Sequence, residues 1–219
     1  MARPRKDSPE APAELRLEEA FWTLIQRFPL KEITVNMIVA EAKCARGSFY
    51  YHFTDINDLI DSAIDRNFPK EIPRIIFTYA LTGQDETNEM LSDSRFMQKI
   101  DRICILAGPK SSVEVIERLK QTIRDAWLET LQLNENDLPE EAMILLEFVI
   151  NGIIGVLAFR SRPDTNYSIA ECLQVVVPDF PQAFLSRLTS ILQVSPASES
   201  QLPPLLVERL QEELATKAT

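Results

Sequence analysis

The stretch Thr34–Phe53, TVNMIVAEAKCARGSFYYHF, decides the fold. Thr34 stands where a helix N-cap belongs, and Val35, Ile38, Val39 and Ala42 follow at the i, i+3, i+4, i+7 spacing of one helical face. Lys43 to Ala45 break that spacing. A second short segment, Arg46 to Phe53, sets Phe49 and Phe53 one turn apart as its inward side and leaves Arg46, Gly47, Ser48, Tyr50, Tyr51 and His52 on or near the surface. Two short helices with a tight turn between them satisfy the geometry of a helix-turn-helix, whose second helix enters the major groove of double-stranded DNA. The exposed chemistry suits that geometry. Arg46 offers bidentate donors to guanine or phosphate, Ser48 donates to base edges or phosphates, and the tyrosine hydroxyls and His52 suit phosphate oxygens. Gly47 lets the backbone come close, and Thr34, at a helix N-terminus, is a second phosphate candidate. A lone Arg or Tyr on a helix is usually a solvated or half-packed residue; six such positions inside one short segment point to DNA.

Working outward, Leu17, Ala20, Phe21, Leu24, Ile25 and Phe28 make an amphipathic helix that Pro29 ends. Asp55 caps a fourth helix with the buried stripe Ile56, Leu59, Ile60, Ala63 and Ile64, limited by Pro69. Residues 1–11, rich in Pro and charge, read as a flexible basic arm, and residues 12–68 as the three-helix DNA-binding domain with its supporting helix. Residues 69–194 form a larger helical domain. In it Gly83 to Asn88 is a polar loop, and Phe96, Met97, Ile100, Ile103, Cys104 and Ala107 share one face up to Gly108. Ser111 with Glu114, and Asp137 with Glu140, have capping-box spacing for two helices, one ending near Leu133 and an apolar one over Leu138–Arg160. Residues 168–177 and 179–193 are helical, divided near Pro178 and Pro181, and 195–219 is a linker with a short terminal helix.

Composition agrees with an all-α protein: glycine is scarce, at 5 of 219 residues, and no segment sustains the alternation of a half-buried strand. Net charge is −10, which argues against a nucleic-acid partner until its distribution is read. Residues 1–54 hold eight Lys/Arg against seven Asp/Glu, leaving 15 against 26 for the rest, so the acidic bulk steers DNA toward the N-terminal end. Cys44, Cys104 and Cys172 form no CxxC pair, and charge at the start precedes no apolar leader; both fit a cytoplasmic protein with reduced thiols. The apolar run Ala142–Phe159 is interrupted by Glu147, Asn151, Gly152 and Gly155, which favours a buried helix over a membrane span. His52 is the one histidine, and no glycine-rich phosphate loop occurs, so neither an enzyme, a cofactor nor a metal is expected.

From Leu17 to Ile64 the chain resembles the DNA-binding domain of the TetR/AcrR family of transcriptional regulators. The likeness is carried by Ala45-Arg46-Gly47-Ser48-Phe49-Tyr50-Tyr51-His52-Phe53, which follows the family pattern of small, basic, Gly, Ser/Thr, apolar, aromatic, aromatic, His, Phe. Lys43 stands where the family places Gly, Ala45 replaces a hydroxyl cap, and Ile56 replaces a phosphate-holding Lys. Lys43 and Ala45 nonetheless join the candidate contacts, Lys43 by reaching the DNA backbone itself.

The resemblance implies a helix-turn-helix domain followed by a C-terminal domain for dimerisation and ligand binding. Leu138–Arg160 and 168–193 would pair two subunits over a palindromic operator, although a central helix of a monomer would carry the same apolar pattern. It also implies a regulator, by expectation a repressor, tuned by a small-molecule effector. Met97, Cys104, Trp127, Phe148 and Asn151 are the residue types that could line its pocket, although each is more readily core than ligand contact. The departures at Lys43, Ala45 and Ile56 favour an alternative, a co-regulator on the same scaffold that acts through protein contacts with weak or no DNA binding.

Overall fold

Pro12, Thr34 and Asp55 begin helices, and Pro29 and Pro69 bound them, so the first third of the chain is segmented by residues that cannot continue a helix or that cap one. The computed structural model describes residues 12–76, 92–176 and 180–194, and among the described residues all regular structure is helical. The protein is all-α. It divides into two compact units, one reaching to Arg66 and including Lys110–Ser112, the other comprising Asn67–Pro109 and the chain from Val113 onward. The arm at 1–11, the loop at 83–88 and the segment 195–219 read from the sequence lie outside the described residues.

In the first unit, α1 (Ala13–Arg27) buries Leu17, Ala20, Phe21, Leu24 and Ile25, the expected stripe, and adds Trp22 and Glu18. Phe28 leaves the helix in an extended conformation, and Pro29 opens a 3-10 turn, Leu30–Glu32, that periodicity did not reveal. Leu30 N–H donates to the Lys110 carbonyl at 2.8 Å, and the Lys110 ammonium reaches the Gln26 carbonyl, which fastens 110–112 to this unit. Helices α2 (Val35–Glu41) and α3 (Arg46–His52) pack on α1 and on each other. The last helix, α4 (Ile56–Asn67), is capped as its sequence implies: Asp55 Oδ1 accepts from Asp58 N–H at 3.0 Å, and Asp58 Oδ2 accepts from Thr54 N–H at 2.8 Å. Leu59, Ile60, Ala63 and Ile64 are buried, while Ile56, in the first turn, is only half-buried.

Glu18 is 2 % exposed, an expensive place for a carboxylate. Trp22 Nε1 donates to its Oε1 at 3.2 Å, and Arg66 Nε stands 3.0 Å from its Oε2, an ionic contact rather than an aligned hydrogen bond; Arg66 also meets Glu14. Thus α4 is tied to α1 through a half-exposed guanidinium and a buried charge. Removing Arg66 would take one positive charge away from the buried Glu18 carboxylate. Arg66→Met is expected to lower stability by about 2 kcal/mol, below the ~3–5 kcal/mol of a fully buried pair because Arg66 is accessible, and Glu18→Leu on that background to restore most of it. Denaturant unfolding of the variants checks this; an unchanged midpoint for Arg66→Met would show the pair to be idle.

The second unit contains α5 (Ser94–Ala107), α6 (Val113–Leu131), a 3-10 turn at Glu135–Asp137, α7 (Glu140–Arg160), α8 (Ile169–Val176) and α9 (Phe180–Val194). α7 is its hub, packing against α5, α6, α8 and α9. Arg124 on α6 bridges Glu135 at 3.2 Å and also meets Glu147 on α7, and Arg160 reaches Asp101 on α5 at 3.7 Å. α7 is long and apolar enough to cross a membrane by length and composition alone, more so than its interruptions suggested, yet Ala142, Leu146, Val149, Ile150, Ile154 and Leu157 are buried against its neighbours.

Both capping boxes expected here are displaced. α6 begins at Val113, so Ser112 and not Ser111 adjoins it, and the Ser111 hydroxyl is buried without a hydrogen-bond partner. α7 begins at Glu140, two residues after Leu138, because Pro139 takes the N-cap position and Asp137 closes the preceding turn. The S-x-x-E box that does form is Ser168 with Glu171 at α8. Glu171 N–H donates to Ser168 Oγ at 3.2 Å, and Glu171 Oε2 accepts from Ser168 N–H at 2.6 Å and from the Ser168 hydroxyl at 2.8 Å; these last two bonds hold the Glu171 carboxyl below its ordinary value.

Candidate nucleic-acid interface

The turn between α2 and α3 is a Schellman closure. Cys44 N–H donates to the Val39 carbonyl at 2.9 Å and Lys43 N–H to the Ala40 carbonyl at 3.2 Å, with Lys43 itself at φ 53°. The left-handed position that favours glycine therefore carries a lysine, at a penalty of about 1 kcal/mol. Thr34 caps α2 as expected, its hydroxyl oxygen accepting from Met37 N–H at 3.3 Å. Ala45 precedes α3 in an extended conformation and supplies no side-chain cap.

Seven residues of α3 are too few to hold a helix in isolation, so its geometry comes from what lies under it. Phe49 is fully buried and Phe53 nearly so, their rings 5.7 Å apart. Helical rotation then turns the rest outward. Arg46 and Gly47 are exposed, Tyr50 is 50 % and Tyr51 84 % exposed, and Ser48 and His52 are half-buried. Arg46 Nη2 donates to the Tyr50 hydroxyl at 3.3 Å with its guanidinium 5.6 Å from the Tyr50 ring centre, so the arginine is held along the helix surface. Tyr51 and His52 meet edge to face at 4.9 Å. A Cβ added at Gly47 would touch nothing within 4 Å, which leaves that surface open to an approaching backbone. Chemically, the strip presents a guanidinium, hydroxyls, an imidazole and a bare backbone patch on one short helix.

Replacing Lys43 by Gly removes the left-handed penalty, so Lys43→Gly is expected to stabilise the protein by about 1 kcal/mol in denaturant unfolding. A loss of stability instead would mean that Lys43 makes a contact worth more than its strain.

A second feature lies within the larger unit. An apolar cavity of about 360 Å³ opens between α5, α6, α7 and the chain around Phe68–Ile76, with α8 and α9 adding Ile169 and Phe180. Of the five pocket candidates, Trp127 and Phe148 line it; Met97, Cys104 and Asn151 do not. On α5 the wall is Phe96, Ile100 and Ile103, one helical stripe, and Met97 and Cys104 sit on the adjoining stripe, half-buried and buried. Asn151 is exposed and donates to Glu147, at 2.8 Å to its carbonyl and 3.1 Å to Oε2. Residue type marks a side chain as able to line a pocket, whereas helical phase and packing decide which stripe is wall and which is neighbour. Among the described residues, no group of three or more His, Cys, Asp or Glu side chains converges where a metal could sit.

Burial, and next the Asp101 carboxylate, push the Cys104 thiol from 9.0 up to about 12. Its folded value lies above its unfolded one, so the neutral thiol supports the fold fully below pH 9 and that support is lost as pH rises toward 12. Relative to Cys104→Ala, the native protein should lose stability across that window, by at most ~1.4 kcal/mol per pH unit. Parallel pH profiles of the two unfolding midpoints would refute it.

The chain matches no family model and no curated protein.

Proposed function

We propose that the protein is a DNA-binding transcriptional regulator of the TetR type, expected to be a repressor, that docks α3 in the major groove as a homodimer on a palindromic operator and is tuned by a small molecule held in its larger unit. One observation carries the reading: Phe49 and Phe53 are buried beneath α3 while Arg46, Gly47, Tyr50 and Tyr51 face solvent together, just after a tight two-helix turn. In this reading Arg46 reads a guanine edge or a phosphate. Ser48, Tyr50, Tyr51, His52 and Thr34 add phosphate and base-edge contacts, the Ala45–Gly47 backbone lies close to the duplex, and Lys43 reaches the DNA backbone. A cytoplasmic location and the absence of catalysis go with it.

Pairing is supported by α7. Ile144, Phe148, Gly152, Gly155 and Phe159 recur at i, i+4, i+8, i+11 and i+15 and are all exposed, Ile144 and Phe148 by 63 % and 70 %. Added Cβ atoms at Gly152 and Gly155 would meet nothing within 4 Å, room for a second helix to come close. Two copies present two recognition helices to two half-sites.

The uncapped start of α3 at Ala45 and the strained Lys43 favour a second reading, a co-regulator on the same scaffold that works through protein contacts. Duplexes selected from a random pool, followed by gel shift at rising salt, separate the two. Direct recognition is expected to weaken steeply with salt and to fall at least several-fold, roughly 1–3 kcal/mol, in Arg46→Ala. No retained duplex at any salt would establish the co-regulator; binding that ignores the Arg46 substitution would refute the assigned surface.

A further inference from the structure

The cavity in the larger unit names the chemistry of its own occupant. Among the described residues its wall is made of phenylalanine, isoleucine, valine, leucine, proline and glycine, with Trp127 the single one that carries a side-chain polar atom. Among the described residues, no charged, hydroxyl or amide side chain contributes to it. Ordered water needs two to four polar partners, so such a space is poorly suited to water, and an ionic group placed there would shed its hydration without recompense. Its volume, about 360 Å³, corresponds to roughly twelve non-hydrogen atoms at about 30 Å³ each. The space is reachable: Phe148 and Gly152 belong both to its lining and to the exposed side of α7.

We infer that the cavity is a binding site for one uncharged, hydrocarbon-rich molecule of about that size, and that anionic and cationic amphiphiles of equal chain length are excluded from it. The inference rests on the effector reading only for its consequence in regulation; occupancy itself is independent of DNA. Trp127 in the wall, its ring 5.2 Å from Phe184, supplies an internal reporter.

Tryptophan emission of the full chain, titrated with 1-decanol, decanoate and decyltrimethylammonium, tests it. Decanol is expected to change the emission saturably at one molecule per chain, and the two ions to need at least tenfold higher concentrations. Ile103→Phe and Ile123→Phe each enlarge a buried side chain of the cavity wall and lie away from the exposed side of the long apolar helix. Both variants, with helical content verified by circular dichroism, are expected to lose the decanol response at least tenfold. Equal binding of decanoate, a response kept in either folded variant, or none with decanol in the native chain would overturn the assignment. Retention of DNA by Arg46-intact protein in the same preparations shows whether the DNA-binding reading stands apart from it.

Discussion

The surface that α3 presents to solvent depends on the burial of Phe49. A seven-residue helix gains little from its own hydrogen bonds, and α3 has no side-chain cap at Ala45 to add to them. Burying a phenylalanine ring is worth about 1.5–3 kcal/mol, and Phe53 one turn on adds a second hold, so apolar burial fixes the side of α3 that packs on α1 and α2. Once that phase is set, the 100° step of the helix dictates what solvent receives. Tyr50 and Tyr51 are exposed because Phe49 is not. The surface chemistry is thus a consequence of the core, and a substitution under α3 would disturb the presented strip without touching it.

The turn that delivers α3 shows a local rule overridden by closure of the chain. Lys43 accepts φ 53° because the two hydrogen bonds from Cys44 and Lys43 to the carbonyls of Val39 and Ala40 satisfy the end of α2 only in that conformation. The same closure recurs at the end of α6, where Gln132 lies at φ 54° and Leu133 N–H donates to the Leu128 carbonyl at 2.9 Å. A chain with five glycines places none of them at these two left-handed sites. At Gly108 it is contact that demands a glycine: a Cβ there would come within 2.8 Å of Ser161 Cβ, so that corner needs the missing side chain for close packing.

How much of this was legible in the sequence follows from the range of each interaction. The stripes of α1, α2 and α4, the Thr34 and Asp55 caps and the inward turn of Phe49 and Phe53 depend on neighbours within eight residues, which periodicity reads directly. The pairing of Glu18 with Arg66 spans 48 positions, and a lone acid inside an apolar stripe gives no sign of its partner. Ser111, Asp137 and Ser168 are all followed by an acid three residues on, yet only Ser168 forms the box. Pro139 sits between Asp137 and its helix, and α6 begins one residue too late for Ser111. The spacing is necessary, and the backbone on either side decides whether it is used.

α7 marks the limit of pattern reading most clearly. Its residues are apolar on every side, so no face stands out in the sequence, yet the structure gives them three different surroundings. Leu146, Ile150 and Ile154 are packed against the hub's neighbours. Val149, Gly152, Ile153 and Leu157 border the cavity, and Ile144, Gly155 and Phe159 face outward. Phe148 belongs to the last two groups at once, with Gly152 beside it. Under the proposed pairing, a second subunit covering the outward stripe would rest on two residues that also shape the cavity mouth, and a molecule entering there would press on the same side chains. Closely packed side chains transmit such displacements poorly by degrees and more readily by switching between discrete arrangements. Under that pairing, one helix would serve as core, cavity wall and contact face at once, a direct physical route by which an occupant of the cavity could alter how two chains are held.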